Sequence, residues 1–137
     1  MTFTINTKTG VLTEIKGNSF IVGNLIDFVF ALTGKFSYVL RYEAIDTYSF
    51  DRMTGKLTYI IDGLYEGFTD SNQPTSLAVD PSHKFLYATN SRMELVPNSF
   101  NAIYAFSIHP STGRLTGIKG SPFAAHDHPG SMVIVKK

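Results

Sequence analysis

The sequence predicts an all-β fold of four-stranded antiparallel blades, and three observations carry that prediction. The first is a repeated string: Thr9-Gly10-Val11-Leu12-Thr13, Thr54-Gly55-Lys56-Leu57-Thr58 and Thr112-Gly113-Arg114-Leu115-Thr116, at spacings of 45 and 58 residues. An apolar residue (Ile5, Phe50 or Ile108) stands four positions before each copy. The second is a pair of elements interleaved with the first. Gly34-Lys35-Phe36-Ser37-Tyr38-Val39 is matched 49 residues on by His83-Lys84-Phe85-Leu86-Tyr87-Ala88, and Pro74-Thr75-Ser76-Leu77-Ala78-Val79 is matched 55 residues on by Pro129-Gly130-Ser131-Met132-Val133-Ile134. The third is composition: 11 Phe and 7 Tyr are punctuated by 11 Gly and 6 Pro, and no stretch carries a helical period. A hairpin, a long connection and a second hairpin recurring about every 50 residues is the arrangement of propeller blades.

Each element follows in chain order. The first TGxLT string predicts a hairpin after Ile5, its Gly supplying the left-handed turn residue that a side chain resists. Ile15 to Phe20 stays in register with Ile118 to Phe123, at an offset of 103. Tyr38-Val39-Leu40, residues 75–79, 85–89 and 103–108 are short, aromatic or β-branched, and bounded by turn residues, so they read as strands. Between two of them lies Asp80-Pro81-Ser82-His83. Pro81 presets φ, Asp80 can accept backbone N–H bonds, and His83 takes the place that Gly34 holds one repeat earlier, so a positive φ is expected there. The count is about eleven strands, or about 2.5–3 blades of a partial propeller.

Composition narrows the function classes. The 137 residues are read as one partial propeller domain, 1–137, with the TGxLT strings at 9–13, 54–58 and 112–116 as its markers. A 43% apolar content argues for a buried core. The net charge of +1, with dispersed basic residues, argues against nucleic acid as a partner. The absence of cysteine removes disulfide scaffolds, thiolate metal sites and cysteine catalysis. The opening residues have no basic and apolar leader pattern, which places the chain in the cytoplasm if Met1 is its natural start. The longest apolar run, Phe28-Val29-Phe30-Ala31-Leu32, is far shorter than the ~20 residues of a membrane-spanning helix. No GxGxxG, Walker, HExxH or GxSxG motif is present.

The phrase Pro74-Thr-Ser-Leu-Ala-Val-Asp-Pro-Ser-His-Lys-Phe-Leu-Tyr-Ala-Thr-Asn90 resembles the blade signature of the seven-bladed β-propeller lactonases. That family includes the 6-phosphogluconolactonases and the fungal carboxymuconate-lactonising enzymes. Tyr104-Ala-Phe-Ser-Ile-His-Pro-Ser-Thr-Gly-Arg-Leu-Thr-Gly-Ile-Lys-Gly-Ser-Pro-Phe123 is similar to the segment that follows it. The resemblance implies hydrolysis of a sugar-derived lactone in a central channel, with a lactone or sugar acid as small-molecule partner and no cofactor. It places innermost strands at residues 25–30, 75–79 and 131–135. One family blade carries an Arg-His pair just after its Pro, suited to gripping an anion and moving a proton. The corresponding positions here are Ile26-Asp27, Thr75-Ser76 and Gly130-Ser131. The expectation is therefore a C-terminal portion of a longer lactonase-like propeller, without a full active site. Two alternatives are a non-enzymatic propeller module that binds a ligand or protein, and an oligomer of short chains that completes a ring.

Candidate channel and ligand-binding residues are few. His126-Asp127-His128 precedes Pro129, and two His at i, i+2 on an extended chain share a face, a spacing open to a divalent metal. An exposed polar loop is the competing reading. Asp70-Ser71-Asn72-Gln73 is the equivalent loop one blade earlier, with Asn72 as its candidate. By resemblance Glu43, in Arg41-Tyr42-Glu43, stands where a family strand ends in Asn-Glu, so Glu43 and Arg41 are candidates to orient a ligand. His83 and His109 fall in turns and are expected to be structural. Arg92-Met93-Glu94 opens a longer excursion of the kind that carries binding in many folds.

Overall fold

The computed structural model describes residues 3–16, 23–31, 34–42, 44–61, 72–92 and 100–135. Within them lie eleven strands: β1 (Phe3–Ile5), β2 (Leu12–Glu14), β3 (Asp27–Phe30), β4 (Phe36–Leu40), β5 (Ile45–Phe50), β6 (Leu57–Ile61), β7 (Asn72–Val79), β8 (Phe85–Arg92), β9 (Ala102–Ile108), β10 (Leu115–Gly117) and β11 (Phe123–Ala124). One blade runs β3-β4-β5-β6 and the next β7-β8-β9-β10, with β11 also paired to β9, while β1-β2 form a separate hairpin. All pairings are antiparallel. The fold is thus all-β, a partial propeller, and among the described residues the sheets do not close into a ring. No helix among the described residues is long and apolar enough to cross a membrane.

The turns obey the sequence. Gly10, Gly55 and Gly113 have φ of +74°, +70° and +72°. Each donates its N–H to the carbonyl four residues back: Gly10 to Asn6 at 2.7 Å, Gly55 to Asp51 at 2.7 Å and Gly113 to His109 at 2.8 Å. The residue that opens the loop differs, yet does one job each time. Asn6 Oδ1 accepts the Lys8 and Thr9 N–H groups at 3.0 and 3.2 Å, Asp51 Oδ1 those of Met53 and Thr54 at 2.8 and 3.3 Å, and His109 Nδ1 that of Ser111 at 3.3 Å. At the interleaved turn His83 has the expected positive φ, +59°, against +65° at Gly34. Asp80 accepts the N–H groups of Ser82, Lys84 and Phe85 at 2.8, 2.9 and 2.8 Å. Partial burial pushes its carboxyl up, but the Ser82 hydroxyl and these N–H groups outweigh that and hold it below its ordinary value.

The core lies between the two blades. Phe36, Tyr38 and Leu40 of β4 are buried in one cluster with Leu86, Ala88, Tyr104, Phe106 and Ile108 of the second blade. Burial of each large side chain is worth about 1.5–3 kcal/mol, so this face stabilises the pair of sheets. The β9–β10 hairpin closes over it. Tyr38 donates its buried hydroxyl to the Gly113 carbonyl at 2.9 Å, and a Cβ on Gly113 would lie 2.6 Å from the Phe36 ring. The outward faces are less covered: Phe30 is 40% exposed, and Tyr59 and Phe123 are 46% exposed. Every residue of β1 and β2 is exposed.

Two boundaries depart from expectation. The innermost strand expected at 25–30 begins at Asp27. The one expected at 131–135 is not a strand. A strand needs a neighbour to complete its ladder; here the Pro129 carbonyl is taken by the Thr75 hydroxyl, and Val133 and Val135 are 85% and 79% exposed.

Candidate functional site

The two innermost strands, β3 and β7, come side by side through one carboxylate. Asp27 opens β3, and its Oδ2 accepts the Leu77 N–H of β7 at 2.7 Å while its Oδ1 accepts the Phe28 N–H at 2.7 Å. Both oxygens therefore hold backbone, one of them across the blade boundary. Asp27 occupies one of the positions that correspond to the Arg-His pair, and its role is to join blades.

At the other end of β7 the C-terminal segment docks by hydroxyls. Thr75 Oγ1 lies 2.7 Å from the Pro129 carbonyl and 2.7 Å from Thr89 Oγ1. A carbonyl only accepts, so Thr75 donates to Pro129, and Thr89 Oγ1 donates to the Gly130 carbonyl at 3.2 Å in the same cluster. Just beyond, His128 Nδ1 meets Ser91 Oγ at 2.9 Å. With Nδ1 accepting, the contact polarises the serine hydroxyl; with Nδ1 protonated, it tethers the loop. Asn90, beside Ser91, is fully buried and donates through Nδ2 to the Phe100 carbonyl at 3.3 Å.

The expected candidates fare unevenly. His126, Asp127 and His128 are all exposed. The chain is not extended through them: His128 has a φ of +41°, so the alternation that would align its ring with that of His126 does not hold. No group of three or more His, Cys, Asp or Glu placed to hold a metal occurs among the described residues. Arg41 grips the buried Asp46 through two contacts, Nε–Oδ2 at 2.6 Å and Nη2–Oδ1 at 2.8 Å, which orients both side chains across the β4–β5 turn. Glu43, Asp70, Ser71, Met93 and Glu94 lie outside the described residues, as does the Asn72 side chain; the Asn72 backbone pairs with Arg92. His109 is structural as expected, held in its turn. Ser91 and Thr89 were not foreseen. They end a strand in polar residues, and nothing local ties them to a segment some forty positions away.

These sheets, with their inner strands joined edge to edge and hairpins at the rim, define consecutive blades of a β-propeller. The chain belongs to the lactonase, 7-bladed beta-propeller family, whose model matches residues 27–136. It is 31% identical over 108 residues to a 6-phosphogluconolactonase of Formosa agariphila, a match covering 78% of this chain and 29% of that protein. Among crystal structures it resembles a candidate 6-phosphogluconolactonase from Bacteroides uniformis, with a TM-score of 0.70, 20% identity, and coverage of 93% of this chain and 35% of that one. A Lactobacillus plantarum protein superposes with a TM-score of 0.65 at 19% identity, covering 89% of this chain and 34% of the other. The two structural matches speak for the fold. The chain spans about a third of the length of these relatives.

Proposed function

We propose that this chain supplies inner strands to a lactonase-type propeller for a sugar-derived lactone, such as 6-phosphogluconolactone, and holds only part of the hydrolytic site. One observation supports this reading. The inner-strand positions that would carry an Arg-His pair are Ile26-Asp27, Thr75-Ser76 and Gly130-Ser131, and Asp27 is engaged by two backbone N–H groups. Ring opening needs a group to grip the acid or phosphate and a group to move a proton. His126 and His128 are exposed imidazoles, and any residual proton transfer would fall to them.

The test is hydrolysis of a sugar lactone by the purified chain, beside His126→Ala and His128→Ala. The expected rate is the spontaneous one for all three proteins. Hydrolysis above that rate, lost in either variant, would overturn the partial-site reading. The same positions favour a second reading, a module that binds a sugar acid or protein without catalysis. Titration calorimetry with 6-phosphogluconate separates the two: measurable heat without turnover supports the module.

A further inference from the structure

Folding sorts charges that the sequence spreads out. In the two blades, residues 31–35 join β3 to β4, 51–56 join β5 to β6, 80–84 join β7 to β8 and 109–114 join β9 to β10. Because the strands alternate in direction, these turns lie at one end of their sheets. Both blades present that end on the same side, since Gly113 of the last turn sits against the Phe36 ring, next to Lys35 of the first. By sequence the four turns hold the cations Lys35, Arg52, Lys56, Lys84 and Arg114 against two carboxylates, a net 5 − 2 = +3 in a chain of +1. The connections at the other end, 41–44, 62–71 and 93–101, hold Arg41 alone against five carboxylates.

All five turn cations are exposed, and none is ion-paired among the described residues. The two carboxylates, Asp51 and Asp80, are engaged within their own loops by backbone N–H groups and by the Thr54 and Ser82 hydroxyls. An apolar side chain stands in their midst: Met53, which follows Arg52 at the tip of its turn, is 94% exposed. Pro81 and Pro110 are exposed on two of the other turns.

We propose that this turn end docks on an anionic lipid bilayer, with the five cations meeting the headgroups and Met53 entering the interface. Each Lys or Arg near such a surface adds attraction, and the apolar tip gains a burial that a soluble anion does not offer. A single nucleic-acid strand fits less well. Its bases stack on aromatic side chains, and the four turns hold no Phe, Tyr or Trp.

Vesicle co-sedimentation of the 137-residue chain tests this. The chain is expected to pellet with phosphatidylcholine vesicles containing about one-third phosphatidylserine, and not with phosphatidylcholine alone. Arg52→Gln combined with Lys56→Gln is expected to lower partitioning about 10-fold or more. Met53→Ser leaves the charge intact and is expected to lower it about threefold. Lys119→Gln removes an exposed cation beyond the far end of β10 and is expected to leave binding unchanged. Circular dichroism checks that each variant folds as the parent does. A chain that ignores the anionic vesicles, or whose binding is untouched by Met53→Ser or weakened comparably by Lys119→Gln, would overturn the proposal. Retention on a DNA duplex in preference to the vesicles would overturn it in favour of a nucleic acid.

Discussion

The first and third TGxLT hairpins share a sequence, a loop hydrogen bond and nearly the same glycine φ, yet they live in different environments. Around Gly10 nothing lies within 4 Å of where a Cβ would stand, while at Gly113 that position meets the Phe36 ring at 2.6 Å. One turn is a local structure in solvent. The other is a lid on the inter-blade core, and its carbonyl holds Tyr38. Equal backbone geometry thus sets equal strain but not equal stability.

The largest expected effect is that of Gly113→Ala. It adds a steric clash to the left-handed strain, and should cost about 3 kcal/mol or more in urea unfolding. Tyr38→Phe leaves the Gly113 carbonyl without its donor and should cost about 1–2 kcal/mol by the same measurement. Gly10→Ala carries only the conformational penalty, about 1 kcal/mol. If Gly10→Ala proved as damaging as Gly113→Ala, the contrast between the hairpins would fail.

The smallest effect concerns pH. The Thr54 hydroxyl, followed by the N–H groups of Met53 and Thr54, holds the Asp51 carboxyl below its ordinary value. A lowered folded pKa contributes stability that is present above the unfolded value and lost as pH falls through the folded one. In an NMR acid titration the amide signals of Met53 and Thr54 should therefore shift in the range below the ordinary carboxylate pKa. Those of Lys8 and Thr9, held by neutral Asn6, should stay in place. A matching shift in both hairpins would show that the opening residue does not set the acid response.

Much of this architecture was legible beforehand because its signals are local. Gly at a left-handed turn, Asp80 gathering the N–H groups of its own turn and His83 in place of Gly34 follow from backbone sterics over a few residues. Strand ends were less legible. Residues 131–135 carry a strand-like pattern, but a ladder requires a neighbour that no short window reveals. Site residues were least legible. Arg41 could be read as a ligand group, because nothing in the sequence marks its fork as filled by Asp46. The joining of β3 to β7 by Asp27, and of Ser91 to His128, arises only when distant segments meet.

The amino-acid sequence by itself determined the all-β class, the blade repeat, the family and the geometry of the turns. Each rests on contacts between near neighbours, or on a pattern that recurs along the chain. Tertiary structure alone decided which glycine is crowded, which carboxylate bridges blades and which aromatic faces are covered. Those outcomes depend on packing between residues far apart in sequence, where identical strings meet different neighbours.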